Sequence, residues 1–160
     1  MFVSSLASGL LTLAILALPG SPAAPQTKPA AGSAVRTVEI TGGDDMKYSL
    51  TTIPAKPGET IKIKLVSKGT LPKVAMAHNV VVLKSAAKQT DFVNAAAMAR
   101  ATDFIPADMK DQVLAATTLA GPGETVEVTF KVPAAAGSYP YLCTFPGHFA
   151  AGMRGNIVAK

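Results

Sequence analysis

The chain of 160 residues contains one cysteine, two histidines and no tryptophan. A lone thiol cannot close an internal disulfide, so cysteine usage says nothing about redox compartment. Aromatic residues make up 6% and charged residues 16%, which leaves an aliphatic core as the expectation. The formal charge is +5, with no basic run and no aromatic-interleaved basic patch. That excludes the usual footprint of nucleic-acid binding. Long apolar runs are also missing, with one exception: Leu6 to Leu18 is predominantly apolar, and it is shorter than the ~20 residues of a comfortable membrane span.

That run is followed by the small residues Ser21, Ala23 and Ala24, the layout of a secretory signal. Residues 1–24 are therefore expected to be a signal peptide or a retained N-terminal membrane anchor. Either implies export to the periplasm or another extracytoplasmic space, with the anchor holding the protein on the outer face of the membrane. Residues 25–35, PQTKPAAGSAV, read as a Pro/Ala-rich linker. Residues 36–160 are expected to form one folded domain.

Within that domain short strand patterns recur. Ile61, Ile63 and Leu65 alternate with Lys62 and Lys64, and Val126, Val128 and Phe130 alternate with Glu127 and Thr129. Both predict strands buried on one face. Val38 and Ile40 flank Glu39, Asn79 to Leu83 reads as a strand buried on both faces, and Tyr139–Thr144 and Gly155–Ala159 complete the set. Turn signals stand at Gly42-Gly43, Pro57-Gly58, Gly121-Pro122-Gly123 and Gly137. Many short strands punctuated in this way predict an all-β, antiparallel sandwich. Phe92, Ala95, Ala96 and Ala99 fall instead at helical spacing, which predicts one short inserted helix around residues 89–100, packed through its Phe92/Ala face.

The scarce residues are not scattered. Cys143, His148 and Met153 stand as C-x4-H-x4-M between two predicted strands. Thiolate, imidazole and thioether are donors that suit copper in both of its oxidation states, and the second histidine, His78, would complete the His2Cys plane of a blue-copper centre. Every Cys and His of the chain would then serve one metal. Singly, each residue has an ordinary explanation: a buried Cys acting as a small hydrophobe, a hydrogen-bonded His, a packed Met. The joint spacing favours the metal. A Cys–His nucleophile would leave His78 and Met153 without a role, and structural zinc would lack a fourth strong ligand.

The segments Cys143-Thr144-Phe145-Pro146-Gly147-His148 and Gly152-Met153-Arg154-Gly155, with Met76-Ala77-His78-Asn79 upstream, resemble the copper loop and first-ligand segment of azurins and auracyanins, in the cupredoxin family. The likeness runs over most of residues 36–160. It implies the cupredoxin fold, a Greek-key sandwich, holding one type 1 copper per chain. His78, Cys143 and His148 would be in-plane ligands, Met153 the weak axial ligand, and the Ala77 carbonyl a distant opposite contact. By the same resemblance Asn79 would brace the loop near Thr144, and the N–H groups of Asn79 and Phe145 would point at the Cys143 sulfur.

The resemblance also implies an electron carrier rather than an enzyme, cycling between Cu(II) and Cu(I) with redox partner proteins of cytochrome or copper/haem oxidoreductase type. The alternative is an exported copper carrier without an electron-transfer role. Electrons would pass at an exposed edge of His148, through a nonpolar docking patch of Met76, Pro146, Gly147, Phe149 and Ala150. A monomer is expected. Catalytic copper sites need further histidines, and none is spare. Azurins have one residue fewer between the second His and the Met, carry a disulfide that one Cys cannot make, and have Gly where Ala77 stands. These departures lean toward auracyanins.

Overall fold

The computed structural model describes Met1, residues 34–86 and residues 88–160. The expected signal or anchor over 1–24 lies outside the described residues apart from Met1, as does the linker over 25–35 apart from Ala34 and Val35. The chain divides into two units, Met1–Ala31 and Gly32–Lys160, and every element described here belongs to the second.

Eight strands form two layers: β1 Arg36–Gly42, β2 Thr52–Ala55, β3 Thr60–Ser67, β4 Val81–Leu83, β5 Val113–Ala116, β6 Thr125–Lys131, β7 Gly137–Leu142 and β8 Arg154–Ala159. One sheet has the order β1-β3-β6, the other β2-β8-β7-β4-β5. The sandwich expectation holds, but the sheets are mixed. β1 pairs with β3 and β2 with β8 in parallel, while the other four pairings are antiparallel. The reason is parity. Successive strands reverse direction, so partners of equal parity run parallel and those of opposite parity run antiparallel. β1 and β3 are parallel because β2, between them in sequence, sits in the other sheet.

β2 and β5 escape the strand reading above, and both are edge strands of the five-stranded sheet. β2 carries Pro54, which cannot donate to a ladder and is tolerated at an edge. β5 reads Val-Leu-Ala-Ala, without alternation.

The inner faces follow the period of two. Ile61, Ile63 and Leu65 of β3 are fully buried against Ile40, Ile53, Tyr141 and Ile157. Outward, Lys62 pairs with Glu127 at 3.1 Å and Lys64 with Glu39 at 3.0 Å. β4 is buried on both faces because a second layer covers it. Val80 and Val82 join the sandwich core, while Val81 and Leu83 meet Phe92 and Leu142 in a separate cluster. That cluster is made by the inserted helix α1, Gln89–Ala96. The helix stops four residues short of the expected end; two 3-10 turns, Arg100–Thr102 and Ala107–Gln112, lead on to β5. Among the described residues no helix is long and apolar enough to cross a membrane.

Candidate metal centre

The central strand β7 ends at Leu142 and delivers Cys143 to one pole of the sandwich, where β8 begins at Arg154. The eleven residues Cys143–Met153 are tied by their own backbone. Cys143 N–H donates to the Met153 carbonyl at 3.0 Å, Met153 N–H to that of His148 at 2.9 Å, and His148 N–H to that of Phe145 at 3.1 Å. Gly147 and Gly152 hold φ of +85° and +98°, a left-handed region that other residues enter at a cost. The two glycines let so short a loop close.

His78 comes from the other side of the same sheet, just before β4. Although no regular strand covers residues 78–80, all their backbone groups have partners, as buried backbone requires. His78 exchanges both of its backbone bonds with Ala120, at 2.9 and 2.7 Å, and Val80 N–H donates to Thr117 Oγ1 at 3.0 Å while its carbonyl accepts from Thr117 N–H. The Asn79 carbonyl accepts from the Tyr48 hydroxyl, and the Asn79 N–H donates to the Cys143 sulfur.

Three side chains converge here. His78 Nδ1 and His148 Nδ1 are 3.2 Å apart, and Cys143 Sγ lies 3.5 Å from His148 Nδ1. The possible ligand atoms of His78, Cys143 and His148 lie within 4.8 Å of one another, and all three residues are buried. Met153 is fully buried, and its methyl packs where a Cβ on Gly42 would stand, 2.6 Å away, with the His78 ring 3.4 Å from the same point. Ala77 is also fully buried.

The Asn79 side chain ties the two segments together. It accepts from Thr144 N–H at 2.9 Å and donates to Thr144 Oγ1 at 2.8 Å and to the Asp103 carbonyl at 3.2 Å. Asp103 and Phe104 both have positive φ, 52° and 59°. This left-handed pair presents the Asp103 carbonyl to Asn79 and sets the Phe104 ring edge-on to Phe145, 5.3 Å away. The Phe145 ring in turn lies 4.8 Å from that of His148.

The electrostatics suit a cation. Burial pushes the Cys143 thiol up to about 11, against the opposing pull of the N–H groups of Asn79 and Phe145. Burial, then the neighbouring His78, brings His148 down to about 4; burial likewise lowers His78, against Asp44 and Asp45. The centre therefore offers two neutral imidazoles and a thiol that lacks only a positive charge to ionise it. His78 Nε2 is buried without a hydrogen-bond partner among the described residues. Two Nδ1 atoms aimed at each other, with one sulfur and no carboxylate in the group, fit a borderline-to-soft metal such as copper and not a hard one.

The surface over the centre differs from expectation in two respects. His148 has only 1% of its surface exposed, so no open imidazole edge exists: the loop closes over the ring. Phe149 is not in the outer patch either. Its ring packs on the Val81, Leu83, Phe92 and Leu142 cluster, with the Arg154 guanidinium 4.7 Å above it. Pro146, Gly147 and Ala150 are exposed and Met76 is half-buried. Leu71 and Val74, at 45% and 71% exposure, add to the apolar surface of the segment leading to His78. Residues 71–76, LPKVAM, show no strand period, and that was the available signal for an exposed apolar segment. Gly42 was read only as part of a turn signal, and Tyr48 and the Asp103–Phe104 pair carry no motif and were not singled out by sequence.

Residues 34–160 match the family described as copper binding proteins, plastocyanin/azurin family. The chain is 35% identical over 132 residues to Auracyanin-A of Chloroflexus aurantiacus, covering 81% of this chain and 77% of that protein. It is 38% identical over 122 residues to Azurin iso-2 of Methylomonas sp. strain J, covering 74% and 92%. Among solved structures, dithionite-reduced auracyanin from the photosynthetic bacterium Roseiflexus castenholzii superposes with a TM-score of 0.70 at 32% identity, over 82% of this chain and 99% of that one.

Proposed function

This chain belongs to the plastocyanin/azurin family of copper-binding proteins, and from that premise we propose that it is a blue copper electron carrier whose single copper would be held by His78, Cys143 and His148, with Met153 as a weaker fourth donor. The supporting observation is the convergence of the chain's only thiol and only two imidazoles within 4.8 Å, in a buried pocket. Bound copper supplies a one-electron Cu(II)/Cu(I) couple. The protein is not an enzyme.

The chain's own residues do the rest. The N–H groups of Asn79 and Phe145 donate to the sulfur, which removes charge from the thiolate and tunes the potential. Asn79 clamps the loop to the His78 segment through Thr144, so the donors are fixed before a metal arrives and keep their places when its charge changes. The burial of all three donors excludes water. Burial also argues against the carrier alternative, since a protein that hands metal on needs donors that can be reached and exchanged.

The carrier works between redox partners, and the surface proposed to meet them is Met76, Pro146, Gly147 and Ala150, extended by Leu71 and Val74. These residues form a small apolar patch over His148, of the kind suited to weak, short-lived contacts. Residues 1–24 are proposed to export the protein, as a signal peptide or as an anchor, with 25–35 as linker and 36–160 as the copper domain.

The test is a visible spectrum. Copper-loaded protein should absorb intensely in the visible through the copper–thiolate bond, and Cys143→Ser should abolish the band while the fold persists by circular dichroism. A colourless loaded protein, or a coloured Cys143→Ser, would overturn the assignment.

A further inference from the structure

The strands that build the metal centre also define a second, opposite pole. β1 runs from Arg36 to Gly42, and Gly42 touches Met153 at the centre. Six residues of strand place Arg36 about 20 Å away. β8 likewise runs from Arg154, next to Met153, out to Ala159, so Lys160 lies at the far end.

At that far pole Arg36, Lys56, Glu59 and Lys160 line an open groove with Pro54, Pro57 and Gly58. Lys131 joins them, its Cε 3.8 Å from where a Gly58 Cβ would stand. The backbone fixes the arrangement: Lys160 N–H donates to the Ala55 carbonyl and Val132 N–H to that of Glu59. Four exposed cations face one carboxylate, Glu59, which Arg36 holds at 2.6 Å. Even with a backbone carboxylate at Lys160 the surplus is positive. Elsewhere the charges balance more closely. Lys62 and Lys64 on the sheet face have acidic partners, and near the metal pole Asp44, Asp45, Asp103 and Glu124 interleave with Lys47, Lys68, Lys73, Arg100 and Arg154, a surplus of one.

The chain enters the domain at this same pole. Arg36 opens β1, and upstream of it lie the linker and the apolar run Leu6 to Leu18. We propose that the pole formed by Arg36, Lys56, Lys131 and Lys160 rests on an anionic lipid surface, so that the domain stands with its metal centre turned away from the membrane. The inference rests on the reading of residues 1–24 as a retained anchor. A single apolar anchor and a cationic patch are complementary signals, and each Lys or Arg at an anionic surface strengthens partition about fivefold. Because the chain enters the domain at the patch's own pole, the patch orients what the anchor only tethers. The apolar surface around Pro146 is then presented outward, about 20 Å from the lipid.

The full, copper-loaded chain would be placed in vesicles of phosphatidylcholine alone, or with about 30% phosphatidylglycerol, treated with an amine-acylating reagent, and mapped by mass spectrometry. Lys56, Lys131 and Lys160 should react at least about threefold more slowly on the anionic vesicles, and the difference should vanish at about 0.5 M salt. Lys47 and Lys73, at the metal pole, should react alike in both. The triple variant Lys56→Gln/Lys131→Gln/Lys160→Gln should lose partition to anionic vesicles on the order of 100-fold and keep its partition to phosphatidylcholine. Equal acylation in both lipids, protection of Lys47 and Lys73 instead, or unchanged partition of the variant would overturn the proposal. So would protection that anionic vesicles fail to give and an acidic redox protein in solution does give, which would assign the pole to a protein partner. The visible copper band, read in the same samples, reports separately on the metal centre.

Discussion

Replacing Gly42 with alanine tests how tightly the centre holds its thioether. A Cβ at this position would lie 2.6 Å from the Met153 methyl and 3.4 Å from two atoms of the His78 ring. An ordinary contact begins near 3.4 Å, so one of the neighbours must give way by about 1 Å. β1 cannot easily move, because Gly42 is paired with Ser67 and its carbonyl accepts from Lys68 N–H at 2.8 Å. The Met153 backbone cannot either, since its N–H and carbonyl are held by His148 and Cys143. Strain must fall on the Met153 side chain. Gly42 is not among the positive-φ residues, so alanine brings no backbone penalty and the effect isolates the contact. Overpacking costs about 1–3 kcal/mol, toward the lower end here because the methyl that must shift is the far end of a flexible side chain.

Denaturant unfolding of copper-free protein should show that loss, whereas Gly137→Ala, whose Cβ would meet nothing nearer than 3.9 Å, should stay within about 0.5 kcal/mol. In a Met153→Ala background the Gly42→Ala cost should largely disappear, a coupling of about 1–2 kcal/mol. Loaded with copper, Gly42→Ala should also shift in reduction potential, since Met153 is the proposed weak donor and such a donor tunes the couple. A variant with unchanged stability and unchanged potential would refute the view that Met153 is locked between Gly42 and the loop.

Asn79→Ala leaves Thr144 N–H and the Asp103 carbonyl without partners in a buried site, and should cost roughly 2–4 kcal/mol; Asn79→Ser would restore part of it if hydrogen bonding is the cause. Acid should destabilise the copper-free protein in a defined window. His148 binds its proton near pH 6.5 when unfolded and only near about 4 when folded, because burial disfavours the charged ring. Between those values the unfolded chain holds more protons, so stability is full above 6.5 and falls as pH drops toward 4. His78 acts in the same direction. Asp44, lowered by hydrogen bonds from Thr70, contributes only at lower pH, so a fall in the urea midpoint between about pH 6.5 and 4.5 reports the histidines. A flat profile there would show that the rings are not desolvated in the folded state.

Elements whose cause is local were legible from sequence. The alternation of Ile61, Ile63 and Leu65 with lysines reports a strand with one buried face, and β3 is that strand. Cys143, His148 and Met153 share one short loop, and His78 opens a buried segment, so residue type and scarcity alone pointed to a copper family. Phe92 and its alanines announced a helix. β2 and β5 were missed because each is only four residues long: β2 alternates in burial but carries Pro54, which reads as a strand breaker, and β5, Val-Leu-Ala-Ala, has no polar residue to mark an outer face.

Sequence by itself thus determined which thiol and imidazoles are available to a metal, and the sandwich, since donor softness and the two-residue period are properties of residues in order. Tertiary structure decided what lies across that order. Gly42 is distant in sequence from Met153, yet the space it leaves holds the methionine's methyl. Asp103, in the helical insert, braces Asn79. His148 is sealed rather than open, and Phe149 turns inward, because the insert supplies an apolar cluster for its ring. Contacts of this kind depend on which strands become neighbours, and no local spacing records that.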